Sequence, residues 1–151
     1  MIIEYEEKYL DDVRDLLVEL EEFIISIDKD NLDVIHPDYK EKMAIVDLEE
    51  LEKNNGKCYL YVEDNKALAL IMGCVRPYDN YDYLDYKCPK TGIITELIVS
   101  KNFRSTGIGQ KMIDRIEEYF NSIGCEYILV DVFAYNENAF NFYSKKNYHS
   151  R

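Results

Sequence analysis

The stretch from Leu97 to Gln110 constrains this chain more than any other. An apolar run, Leu97-Ile98-Val99, passes through a short polar turn into Arg104-x-x-Gly107-x-Gly109. Beyond it Ile108, Met112, Ile113, Ile116, Phe120 and Ile123 recur at helical spacing. The pattern predicts strand, turn and helix. Two glycines where a helix begins let backbone approach a ligand without an intervening Cβ, and the first N–H groups of a helix lack intrahelical partners. Such a terminus suits a phosphate. Two familiar phosphate loops fail, however. A dinucleotide fingerprint needs Gly or Ala where Met112 stands, and a P-loop needs a closing Gly-Lys-Ser/Thr that is absent.

Arg104-x-x-Gly107-x-Gly109 resembles the Arg/Gln-x-x-Gly-x-Gly/Ala motif of the GNAT superfamily, the acetyl-CoA-dependent N-acyltransferases. The preceding Leu97-x-Val99 strand end is similar too. So is Asn136-x-x-Ala139-x-x-Phe142-Tyr143, with Lys145 and Tyr148, near the C-terminus. Two motifs in order imply a single N-acetyltransferase domain over residues 1–151. The implied fold is mixed α+β: a bent mixed sheet flanked by helices, in which two parallel strands splay to admit acetyl-CoA.

A chain of 151 residues with 47% hydrophobic residues suits one domain and one core. No apolar run approaches the ~18 residues of a membrane span, and no signal-peptide pattern opens the chain, so a cytoplasmic protein without membrane contact is expected. Cys58, Cys74, Cys88 and Cys125 lack Cys-x-x-Cys spacing and read as free thiols; with only His36 and His149 besides, no metal centre is expected. Charge is uneven. Residues 1–55 carry 18 Asp+Glu against 6 Lys+Arg, whereas residues 56–151 carry 12 of each. Neither half offers the basic face that nucleic acid requires. An acidic half attracts a cationic substrate or merely solubilises a helix face.

Along the chain, residues 1–6 read as a first strand, and Val13, Leu16, Leu17, Leu20, Ile24 and Ile27 as an amphipathic helix. Pro37 opens a second helix that stops near Gly56. Lys57–Glu63 and Lys66–Arg76 read as strands joined by a tight turn at Asp64-Asn65. Pro77–Pro89 interleaves four tyrosines with acids, which fits a clamp for an organic cation, a hairpin extension or a dimer contact. Gly92–Ser100 is a strand. The nearly all-apolar run Tyr127–Phe133 is expected to be a strand buried on both faces, and Asn136 to cap a last helix reaching about Lys146. A final strand would only begin at Tyr148, so the last strand is short or missing, which leaves an edge that a longer chain or a homodimer partner completes.

The resemblance assigns roles. The backbone of Arg104, Ser105, Thr106, Gly107, Ile108, Gly109 and Gln110 would hold the coenzyme A pyrophosphate, with Lys101, Arg104 and Lys111 as nearby cations. Leu97, Ile98 and Val99 would line the groove for the pantetheine arm and offer main-chain groups to the thioester carbonyl. Asn136 would hydrogen-bond that arm or cap the last helix, or both. Tyr143 matches the general acid that protonates the departing thiolate, a transfer between groups with pKa near 10 and near 8.5. An alkylammonium acceptor also needs a base. Alternation places Glu96 on the strand face opposite Leu97 and Val99, making it the first candidate, with Asp131 second.

The reading is an acetyl-CoA-dependent N-acetyltransferase acting by direct attack of a primary amine in a ternary complex. Its acceptor would be a small cationic amine or basic peptide. Two rivals remain: a non-catalytic acyl-CoA-binding or regulatory module on the same fold, and an acidic protein-interaction domain.

Overall fold

The computed structural model describes residues 1–151. Its elements follow the order β1 (Ile2–Glu4), α1 (Leu10–Ile27), α2 (Tyr39–Lys53), β2 (Lys57–Glu63), β3 (Lys66–Val75), β4 (Thr91–Val99), α3 (Ile108–Ser122), β5 (Tyr127–Val130) and α4 (Glu137–Lys145). The five strands form one sheet in sequence order, antiparallel except for the parallel β4–β5 pair that α3 connects. A mixed sheet flanked by helices is the architecture that the motifs implied.

Local chemistry explains the joints. Asp64 and Asn65 both adopt positive φ (50° and 60°), the left-handed pair that matches the twist of a two-residue hairpin. Alternating residues of β2 and β3 then supply two cores. Leu60, Leu70 and Met72 meet Val13, Leu16 and Leu17 of α1 on one face. Tyr59, Ala69 and Ile71 meet Met112, Ile113, Ile116 and Phe120 of α3 on the other. β3 is buried almost throughout because helices cover both its faces.

Gly92 shows how closely α3 is seated. A Cβ there would lie 2.5 Å from the ring of fully buried Phe120. Gly92→Ala is therefore expected to destabilise the fold by about 1–3 kcal/mol through overpacking, measured as a lowered urea midpoint. An unchanged midpoint would mean that Phe120 has room to yield.

Two expectations need correction. The run from Tyr127 to Phe133 is not a strand buried on both faces: β5 stops at Val130, and Tyr127 is 64% exposed. β5 is the sheet edge, paired only with β4, and the apolar residues after it line a cavity instead. Pro77–Pro89 extends no hairpin. It turns back on itself around a short 3-10 turn, where the Asp79 carboxylate accepts from the N–H groups of Tyr81 and Asp82 and the Tyr78 hydroxyl donates to the Pro89 carbonyl. No strand follows α4. Tyr148 instead packs edge-to-face with Tyr143, ring centroids 5.3 Å apart, and donates to Glu117.

Candidate functional site

The site begins where two strands part. β4 and β5 pair from Thr91↔Tyr127 to Ile94↔Val130, and β4 then continues to Val99 without β5, paired with β3 only. At the same point its register with β3 shifts: Met72 faces Glu96 whereas Gly73 faces Ile94, so Thr95 is an inserted residue. Beyond this bulge Leu97 and Val99 pack with the α3 side, and Ile98 with the α1 side. Glu96 shares the face of Ile98, as alternation predicted, and lies among the acids of α1 and α2.

A groove of about 610 Å³ lies on the α3 side. Of the residues expected to meet a coenzyme, Leu97, Ile98, Val99, Arg104, Ser105, Gly107, Ile108, Gly109, Gln110, Asn136 and Tyr143 line it; Thr106, Lys101 and Lys111 do not. Thr106 braces the turn, donating its hydroxyl proton to the Phe103 carbonyl at 2.5 Å. Backbone N–H groups of residues 104–110 find no acceptor in the fold. Gly107 caps α3 with φ 84°, and Ser105 also has positive φ, so the loop turns its amides outward ahead of the helix. A Cβ on Gly109 would rest 3.6 Å from Phe142 and 3.7 Å from Val99, which places this backbone directly against the groove wall. The residues thus fit a diphosphate-bearing ligand with an apolar arm.

Arg104 is already engaged. Its Nε donates to the Val99 carbonyl at 3.0 Å, and its guanidinium lies 3.5 Å from Glu19. Glu19 also accepts the Lys101 backbone N–H at 2.6 Å. The groove mouth therefore holds one cation partly neutralised by α1. Asn136 caps α4 by accepting the Ala139 N–H at 3.1 Å, which leaves its amide nitrogen for the groove.

A second cavity of about 280 Å³ adjoins the first, and both share Leu20, Leu97, Asn136, Ala139 and Tyr143. Glu96 and Tyr143 both line it, from β4 and α4 respectively. Burial, reinforced by Asp47 and Glu21, pushes the Glu96 carboxyl up to about 8. Burial also raises Tyr143, so its phenol stays protonated across the physiological range, and its hydroxyl bonds no protein group. Asp131 lines the cavity as well, but from an exposed position just past β5. The tyrosine-rich loop 77–89 lines neither cavity.

Sequence reasoning missed the contribution of the first two helices. Glu21 and Ile24 of α1, with Tyr39 and Met43 of α2, close the smaller cavity, and Phe23, Phe103 and Phe142 wall the larger one. Phe142 was visible in the Asn136–Tyr143 motif, and the spacing of Tyr39 and Met43 marks a shared helix face. Glu21 carries no such signal among its acidic neighbours. No cluster of three or more His, Cys, Asp or Glu side chains is arranged to hold a metal ion, and no helix is long and apolar enough to cross a membrane.

Comparison with known proteins completes the description. The sequence model of the acetyltransferase (GNAT) family matches residues 11–148. No curated protein matches the chain. Among solved structures, a tetramutant of the Bacillus halodurans protein BH1408 is similar at 20% identity, covering 100% of this chain and 94% of that one with a TM-score of 0.76. Aminoglycoside N-acetyltransferase AAC(6')-Iy, in complex with CoA, is similar at 14% identity over 99% and 92% of the two chains, TM-score 0.71. Glucosamine-6-phosphate N-acetyltransferase from Arabidopsis thaliana is similar at 19% identity over 100% and 92%, TM-score 0.66. These likenesses are likenesses of fold.

Proposed function

The chain belongs to the acetyltransferase (GNAT) family, and from that premise we propose that residues 1–151 form one domain that acetylates a primary amine by direct attack on acetyl-CoA. The larger groove takes the coenzyme, with its diphosphate on the N–H groups of residues 104–110 and its arm along Leu97 to Val99. The smaller cavity takes the amine. One observation carries this reading: Glu96 and Tyr143 line one cavity from different elements, and Tyr143 lines the adjoining groove as well.

Acetyl-CoA, when bound, supplies an activated acetyl thioester. Glu96 takes a proton from the acceptor ammonium. For an amine of ordinary pKa this transfer is uphill by about 3 kcal/mol at a carboxyl near 8, against about 8 kcal/mol at an unperturbed glutamate. The freed nitrogen lone pair forms the new C–N bond as the C–S bond breaks. Tyr143 gives its proton to the departing sulfur and recovers one from the acylated nitrogen, which balances the step. Asn136, with its side-chain oxygen committed to Ala139, offers its amide nitrogen to the arm. A binder without chemistry would have no use for a free carboxylate and a free phenol at one junction.

Calorimetric titration tests the cofactor. Acetyl-CoA and coenzyme A should bind in the micromolar range and ATP should not; failure of both coenzyme species on the folded protein would overturn the reading. Thiol release then tests the acid. Tyr143→Phe is expected to lower kcat about 10- to 100-fold while leaving acetyl-CoA affinity within about threefold. Full activity in that variant would remove Tyr143 from the mechanism.

A further inference from the structure

The smaller cavity gathers more carboxyl groups than a single amine can pair with. Glu21 from α1, Glu96 from β4 and Asp131 beyond β5 all line it, and its lining includes no Lys, Arg or His. None of the three makes a hydrogen bond or ion pair in the fold; the chain's ion pairs all lie elsewhere. A fourth carboxylate stands behind them. Asp47 follows Tyr39 and Met43 along one face of α2, and its Oδ2 is wholly enclosed without a hydrogen-bond partner. Enclosed carboxylates without partners are costly, and proteins ordinarily pair them. Glu21 and Glu96, half-buried on the cavity wall and without a partner in the fold, are open to one that the cavity receives.

Resting on the acetyltransferase reading, the charge balance of the reaction narrows that partner. Once Glu96 has accepted a proton, the attacked nitrogen is neutral and Glu96 is neutral. Glu21 then still faces the cavity without a partner, and Asp131 stands at its exposed rim. We propose that the acceptor is a compact amine with at least two cationic centres: one is acetylated, and the other stays charged against Glu21, the residue that selects for it. The geometry agrees, because Glu21 and Glu96 reach one small cavity from different elements, while Tyr39 and Phe133 offer ring surface to the carbon chain or the charged end. An acceptor bearing phosphate or carboxylate would meet like charge and be rejected.

The test is a matched series. Acetyl transfer and calorimetric binding to the coenzyme A complex would be measured with unbranched diamines of three to five carbons and a triamine, then with n-pentylamine and with 4-aminobutyrate. At least one di- or triamine should exceed n-pentylamine at least tenfold in kcat/KM, and 4-aminobutyrate should fall below both. Glu21→Gln should shrink that preference about tenfold, mainly through KM, with coenzyme A affinity retained. Equal use of diamine and monoamine, or no binding of any di- or triamine to a complex that does hold coenzyme A, would overturn the proposal. A preference unchanged in Glu21→Gln would overturn the assignment of Glu21. Loss of coenzyme A binding itself would strike at the acetyltransferase reading instead, so the two failures are distinguishable.

Discussion

Replacing Glu96 by Gln should cost about 10²- to 10⁴-fold in kcat/KM, the usual contribution of a positioned base. The same substitution should make the protein more stable at pH 8. Both follow from one environment. Burial among Asp47 and Glu21 raises the Glu96 carboxyl from 4.5 to about 8, so at pH 7 only about a tenth of it is ionised. Activity of the wild type should therefore rise about tenfold per pH unit below 8 and level off above it. The sign for stability is opposite. A carboxyl with a raised folded-state pKa leaves the native state holding more protons than the unfolded chain, so stability is full below about pH 4.5 and is lost as pH rises through about 8. Asp47, raised by burial from 3.8 to about 6, acts in the same direction over a lower range. Urea titrations at pH 5 and pH 8 should show the wild type losing stability across that interval, by at most about 5 kcal/mol from the two shifts together, and Glu96→Gln losing less. Undiminished turnover in Glu96→Gln would remove it as the base; equal pH dependence in both proteins would mean that its carboxylate is hydrated.

Coenzyme affinity should collapse in Gly107→Val, for a reason that is conformational. Nothing lies within 4 Å of a Cβ built at Gly107, so the added side chain meets no obstacle. The obstacle is the backbone. At φ 84° a β-branched residue is strained, and relief comes by turning the peptide planes that aim the N–H groups of residues 104–110. Acetyl-CoA affinity should fall at least about 30-fold, roughly 2 kcal/mol. Gly107→Asn should keep most of it, because Asn tolerates the left-handed region. Calorimetry on both variants separates backbone strain from simple bulk. Equal losses would point to crowding by the side chain, and unchanged affinity in folded Gly107→Val would overturn the role of this turn.

How much of this was readable beforehand depended on the range of the determining contacts. The Asp64-Asn65 turn, the Gly107 terminus and the stripe of α3 are decided within a few residues and were legible. The face of Glu96 was also legible, because it follows from alternation counted from the strand end. The bulge at Thr95 was not: it exists only against the partners Met72 and Gly73, more than twenty positions away. Glu21, Tyr39, Met43 and Asp47 were hidden differently. The first third of the chain is acidic on many faces, and only the packing of α1 and α2 against the sheet decides which carboxylates look inward. Tyr127–Phe133 misled because an apolar run signals exclusion from water without saying by what. Val130, Val132 and Phe133 border a cavity that two helices help to close. The tyrosines of residues 78–86 left several readings open, of which the hairpin extension fails because Asp79 and Asp82 are occupied in the loop's own turn.

The extra residue at Thr95 makes chain length itself a carrier of chemistry. Had Thr95 been taken into a regular pleat instead of bulging, either Ile94 or the trio Leu97, Glu96 and Val99 would have pointed the other way, since a shift of one position exchanges the two faces of a strand. Deleting Thr95 would leave every reactive group present and on its own face, because Ile94 and Glu96 would then oppose Gly73 and Met72 without a break. What the deletion would remove is the local kink and added twist at the point where β4 parts from β5. In a protein of this design one extra residue holds the kink at which two strands separate, and its loss would cost shape before it cost any functional group.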